Sequence, residues 1–251
     1  MSERLRASVL AAYGAPAVAF AILLLPPYVF LPAFYTQTLG LPLDWIGYII
    51  ILSRLFDAVT DPAIGYFSDR TTGRFGRRKP WILVGTPLAV VSVVVLFAPP
   101  VEATLTQFAF GIFGLTLAWT MMMLPYSAWG AELSGDYNER TRIAGVREGV
   151  GLAGTLIAAS TPTVLTLLGY PDPRVHMAAL AVLVVALLLP SVAWLLIAVP
   201  EPKPLSRSRV PFGAGVAAIW ANGPFRRLIV AYLINALANG LPATLFLLFV
   251  S

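Results

Sequence analysis

Cysteine is absent from the 251 residues, which excludes disulfides and thiol chemistry without fixing the compartment. Histidine is almost absent: His176 stands alone, just after the loop "YPDPR", so a histidine-based metal site or triad has little to be built from. Charge is scarce as well, at 12% of residues, against roughly a quarter in a soluble domain. No nucleophile–base pair, phosphate-binding loop or metal cluster is legible, so the sequence points away from an enzyme and from a resident cofactor. What fills the space is apolar: 58% of residues are hydrophobic. So large a surplus has to face something other than water, and lipid is the candidate.

Seven apolar runs are long enough for a helix to cross a bilayer, which takes about 20 residues. They cover roughly 9–34, 45–67, 81–99, 105–130, 143–169, 176–199 and 228–250. Breaker-rich stretches such as "TLGLPLD", "APPVEA" and "GYPDPR" separate them. The first run is too long, and lacks the cleavage motif, for a removable signal peptide. Its prolines, Pro26, Pro27 and Pro32, predict a kinked helix. The Pro-rich, basic gap 200–227 reads as a linker after a six-helix bundle, 1–199, with 228–251 opening a second bundle. The expected fold is an all-α polytopic membrane protein.

A net charge of +5 would raise nucleic acid as a partner in a soluble protein. Here the basic residues sit in short gaps between apolar runs, where they act as topology signals. Fourteen fall on one side: Arg4, Arg6, Arg70, Arg74, Arg77, Arg78, Lys79, Arg140, Arg142, Lys203, Arg207, Arg209, Arg226 and Arg227. Arg174 alone falls on the other, while Arg54 and Arg147 lie inside runs. The reading is an integral protein of the cell (inner or plasma) membrane with a cytoplasmic N-terminus, and no nucleic-acid partner.

Charge inside the membrane is the most informative feature. Within "RLFDAVTDPAIGYFSDRTTGRFGRRKPW", Arg54, Asp57 and Asp61 share one helix face. An aspartate at the bilayer centre costs about 2.5–3.5 kcal/mol on insertion scales, so such groups face the bundle interior and mark ion or substrate paths. Two carboxylates one turn apart repel unless a cation lies between them or one is protonated. Na⁺ would use both, with Thr60 or Thr120 nearby; H⁺ would neutralise one. The plainer reading is that Arg54 pairs with Asp57 to fix packing. Arg147, early in the fifth run, either hydrogen-bonds a solute or pairs with an acid of the second span or of the 4–5 loop, and Glu148 is expected to meet Arg140 or Arg142. Gly145, Gly149, Gly151 and Gly154 make a small-residue surface for close helix approach. Asp69, Arg70, Arg74, Arg77, Arg78 and Lys79 form a short polar loop, suited to lipid headgroups or to latching one bundle on another. Asn235 and Asn239, followed by Pro242, suggest a cavity lining in the seventh run.

Taken with "LPYSAWGAELSGDYNERTRIAGVREGVGLAG" and "NALANGLPAT", the aspartate-bearing stretch resembles the glycoside–pentoside–hexuronide:cation symporters. These are the melibiose permease-like branch of the major facilitator superfamily. The resemblance spans essentially the whole chain. It implies twelve helices in two six-helix bundles, a solute bound between them, and coupling to Na⁺, Li⁺ or H⁺. On it, Asp57 and Asp61 match the cation-binding aspartates, Thr60 and Thr120 their polar neighbours, and Arg147 an arginine of the sugar site.

Departures from the pattern are informative. Phe20 and Ala21 stand where the melibiose permease pattern has a Lys-Asp pair, and Met123 replaces a sugar-binding aspartate. Ser127 replaces a sugar-stacking tryptophan, with Trp119 and Trp129 close by. The cation half of the site is kept and much of the galactoside half is gone, so another glycoside, or a more apolar solute, fits better. The expectation is the N-terminal part of a cation-coupled symporter, truncated relative to twelve helices, which needs a C-terminal bundle in the same or another chain. The competing expectations are a non-transporting half-length protein and a symporter of a non-sugar amphipathic solute.

Overall fold

The computed structural model describes residues 4–201, 221–228, 230–231 and 234–235. The chain divides into two compact units, Met1–Lys203 and Pro204–Ser251. The first holds a broken opening run: α1 (Ala7–Gly14), α2 (Pro16–Leu24), α3 (Pro26–Ala33) and a π-helical turn, Phe34–Thr38. Then come α4 (Leu43–Arg70), α5 (Lys79–Phe97), α6 (Leu105–Glu132), α7 (Tyr137–Leu167) and α8 (Pro173–Ala198). In the second unit, residues 223–228 are helical.

The opening run is interrupted just before Pro16 and again before Pro26, because a proline ring clashes with the preceding turn and brings no N–H. Each of α4 to α8 also carries an internal proline: Pro62, Pro87, Pro125, Pro162 and Pro190. In a soluble helix each would cost about 3 kcal/mol. In a membrane bundle, neighbouring helices and hydroxyl side chains re-satisfy the freed carbonyls.

Among the described residues, five helices are long and apolar enough to cross a membrane: the run Ala7–Thr38 taken whole, α5, α6, α7 and α8. α4 overlaps the expected second span and has 28 residues, but Arg54, Asp57 and Asp61 in its middle lower its hydropathy. The seventh expected span lies largely outside the described residues; Asn235 is helical, while Asn239 and Pro242 are not described.

Helix ends differ from the hydropathy boundaries for a definite reason. α7 starts at Tyr137, not near 143, because the Asp136 side chain accepts a hydrogen bond from the Glu139 backbone at 3.0 Å and caps the helix. Arg140 and Arg142 therefore belong to the first turns of α7, not to a loop. Hydropathy marks the lipid-facing part of a helix and is blind to its capped polar end.

The helices pack by small residues and a continuous apolar core. α5 lies along α6, α4 also packs on α6, and α2 packs on both α7 and α8. A Cβ on Gly154 of α7 would strike the carbonyl of Val18, and one on Gly111 of α6 would come within 2.6 Å of Leu96. The glycine stripe of α7 is used in part: around Gly145 and Gly149 there is open space. On α4 the buried residues Ile46, Ile49, Ser53, Ile64 and Ser68 fall on one stripe, and Asp57 and Asp61 lie along it. That register sends both acids into the α4–α6 seam.

Candidate functional site

The seam contains a three-residue constellation. Thr120 of α6, 1% exposed, places its hydroxyl oxygen 2.9 Å from Asp57 Oδ1 and 2.9 Å from Asp61 Oδ1. A hydroxyl carries one hydrogen, so it can donate to only one acid at a time. The second contact needs a proton on a carboxyl, or a cation that draws the oxygens together. Arg54 Nη1 stands 3.7 Å from Asp57 Oδ2. Two carboxylates and one guanidinium leave a net local charge of −1, which one monovalent cation neutralises. The helix adds a further oxygen: Pro62 has no N–H, so the carbonyl of Ala58, one turn earlier, lacks its usual helical donor.

Thr60 sits between the two aspartates in sequence, but its hydrogen is committed to its own helix. Its hydroxyl donates to the Phe56 carbonyl at 3.1 Å, with the Asp57 carbonyl at 3.4 Å. Only its lone pairs remain for a cation.

Beside Asp57 opens a cleft with about 480 Å³ of empty space, part of it open to the surroundings. Leu23, Leu24 and Pro27 form one wall; Ile112, Leu115, Thr116 and Trp119 of α6 form another; Ile50, Ser53, Arg54 and Asp57 of α4 close it. Trp119 is thus at the cleft, and Phe20 backs it edge-on, with ring centroids 6.0 Å apart. Phe20 itself is buried against Trp119 and Tyr126. Met123, Ala21 and Arg147 are not among the lining residues; Met123 packs on the core and Ala21 faces Gly154. Trp129 is fully buried, and its indole N–H donates to the Pro200 carbonyl at 3.0 Å.

Arg147 departs from expectation. Its Nε and Nη2 both donate to Oε1 of Glu148, at 3.1 and 2.6 Å. Adjacent helical residues leave the backbone in different directions, yet both chains are long enough to curl back and meet. Glu148 therefore does not pair with Arg140 or Arg142. Arg142 reaches Glu139 at 3.5 Å, and Arg140 Nε donates to the Ser134 carbonyl at 2.8 Å. Near this ion pair α1 and α6 are clasped by two tyrosines. Tyr13 donates to the Tyr126 carbonyl at 3.2 Å, Tyr126 to the Tyr13 carbonyl at 2.6 Å, and the rings stack at 4.6 Å.

The basic loop after α4 is tied down within the first unit. Arg78, 3% exposed, bridges Asp69 at 2.7 Å and Glu132 of α6 at 2.9 Å, and Arg77 reaches Glu132 at 2.7 Å. Glu201 accepts the backbone N–H groups of Arg77 and Arg78 on one oxygen, both at 2.6 Å. Lys79 donates to the Leu196 carbonyl at 2.8 Å, while Arg70 and Arg74 lie over the rings of Tyr66 and Phe75. Glu132 and Glu201 were not singled out from the sequence. The one signal available was their sign, as acids at two run ends on the side where the basic loop lies.

A family model described as MFS/sugar transport protein matches residues 12–251. The chain is 31% identical over 207 residues to an uncharacterized symporter of Synechocystis, covering 77% of this chain and 37% of that protein. It is 32% identical over 146 residues to an Escherichia coli protein provisionally assigned as a glycoside/cation symporter (57% and 32% covered). It is also 28% identical over 227 residues to sodium-dependent lysophosphatidylcholine symporter 1-B of Danio rerio (76% and 43% covered). The chain spans less than half the length of each of these relatives. With helical elements, intramembrane acids and family match all in agreement, the chain belongs to the MFS/sugar transport family, in its glycoside–cation symporter group.

Proposed function

We propose that this chain carries the cation-coupling half of a secondary symporter, and that Asp57, Asp61 and Thr120 hold one Na⁺ or H⁺ per transport cycle. The observation that carries the reading is the Thr120 hydroxyl, equidistant from two carboxylates of another helix. A proton on one acid would complete a relay, acid to hydroxyl to second acid, with both contacts at hydrogen-bond length. A Na⁺ would take the same three oxygens together with lone pairs of Thr60 or a freed backbone carbonyl. With the site empty, the two acids repel and α4 has reason to move against α6. Filling it removes the repulsion and allows the bundle to rock around the site in alternating access.

In this reading the solute is a sugar or a glycoside-like molecule, bound against α6 with Trp119 and Arg147 contributing. The basic end of the bundle is cytoplasmic, and the second bundle comes from the same chain or another. Asp69, Arg77 and Arg78, with Glu132 and Glu201, hold the cytoplasmic ends of α4, α5, α6 and α8 together in one state of the cycle.

The test uses the whole transporter in proteoliposomes under an imposed Na⁺ or pH gradient. Asp57→Cys and Asp61→Cys are each expected to abolish gradient-driven accumulation while leaving insertion and yield unchanged. Undiminished coupled accumulation in both variants sinks the assignment.

A further inference from the structure

The cleft beside Asp57 is more apolar than a sugar site requires. Leu23, Leu24 and Pro27 face Ile112, Leu115 and Trp119 across it; its polar residues are Ser53, Arg54 and Asp57 of α4, with Thr116 alone on α6. One of those, the Ser53 hydroxyl, already spends its hydrogen on the Ile50 carbonyl at 2.7 Å. A sugar has more hydroxyls than these few polar groups can satisfy, and each one buried without a partner costs affinity. An alkyl or aryl group gains instead, by about 0.8 kcal/mol per methylene removed from water. Ordinary lipid is not the natural occupant, because Arg54 and Asp57 stand in the same wall and charged groups at membrane depth face a cavity or a bundle interior.

Resting on the transport reading above, we infer that this cleft binds the apolar part of an amphipathic solute, whose polar head lies at the Arg54–Asp57 edge. The arrangement also supplies a coupling device. An apolar group seated here displaces water from the Asp57 side of the cation site. Uncompensated carboxylate charge then becomes costlier, and the solute and the cation favour each other's binding. Apolar glycosides and single-chain phospholipid-like molecules share this chemistry.

The experiment is calorimetric titration of the whole transporter in nanodiscs, with n-alkyl glucosides and n-alkylphosphocholines of increasing chain length, each below its micellar concentration. Affinity is expected to rise roughly three- to fourfold per methylene in at least one series, and the series that binds identifies the head. Leu24→Asn and Trp119→Ala are expected to flatten that slope; Leu24 is 45% exposed, so its replacement does not open the core. A flat series for both heads, or a preference for the methyl compound, overturns the inference. So does a slope unchanged in both variants, which is partition into the bilayer. A steep, variant-sensitive slope that ignores Na⁺ and pH sinks the coupling reading and leaves this one standing.

Discussion

At the scale of single residues, Thr120 carries the most. It brings one hydrogen to two acids and does so from a different helix, so in the proposed site it would report on a bound cation. Thr120→Val keeps the shape and removes the hydroxyl; the apparent cation affinity should fall about tenfold, the worth of one hydrogen bond to a charged group. Thr120→Ser should restore most of it, and equal loss in both variants would argue for packing alone. Arg147 is held by Glu148 through two hydrogen bonds and is 26% exposed, so it can exchange that partner for a solute oxygen. Arg147→Ala is expected to weaken solute binding more than cation binding, read in separate titrations; the reverse order would move Arg147 to the cation site. Asp57 and Asp61 were legible from sequence because an acid in an apolar run stands out. Thr120 was legible only as one of two nearby hydroxyls, Thr60 or Thr120, since a threonine in a membrane helix is commonplace; the structure places Thr120 between the acids.

At the scale of helices, proline and glycine decide geometry. Gly130 of α6 has no room for a Cβ, which would collide with the Tyr13 hydroxyl. Gly130→Ala should therefore break the tyrosine clasp and cost about 1–3 kcal/mol, the usual penalty of overpacking. A lowered thermal midpoint of the purified transporter checks it, and Tyr13→Phe, which removes one hydrogen bond without a clash, should lower it less. The break at Pro26 followed directly from residue type; the one at Pro16 was not expected, and Pro32 lies inside α3. The start of α7 was not expected either, because Asp136 caps a polar turn that hydropathy averages away. The pairing of Arg147 with its own neighbour also escaped prediction: helical spacing rules treat side-chain direction and ignore side-chain length.

At the scale of the bundle, the loop after α4 acts as a knot joining the ends of four helices. Gly76, at a φ of 88°, lets the chain turn back so that Glu201 meets the next two backbone N–H groups, and a Cβ there would strike Glu201. Among the described residues, two buried atoms of this knot, Arg78 Nε and Glu201 Oε2, have no hydrogen-bond partner. Glu201→Gln keeps the acceptor oxygen but removes the charge. We expect it to shift the transporter toward the conformation in which this end is open, read as faster labelling of a cysteine placed in the adjacent cavity wall. Unchanged labelling would make the knot a static brace.

Composition and charge pattern by themselves determined that this protein lives in a membrane, how its runs are spaced and where its intramembrane acids lie, because lipid permits few alternatives to apolar helices and penalises each stray charge. Only the tertiary structure decided which groups those acids meet. A hydroxyl some sixty residues away, an apolar cleft built from α2, α3, α4 and α6, and two glutamates that close the basic loop come together through packing, and packing depends on helix register and on glycines whose partners are remote in the chain. Local periodicity says which face of a helix is buried; it cannot say what stands opposite.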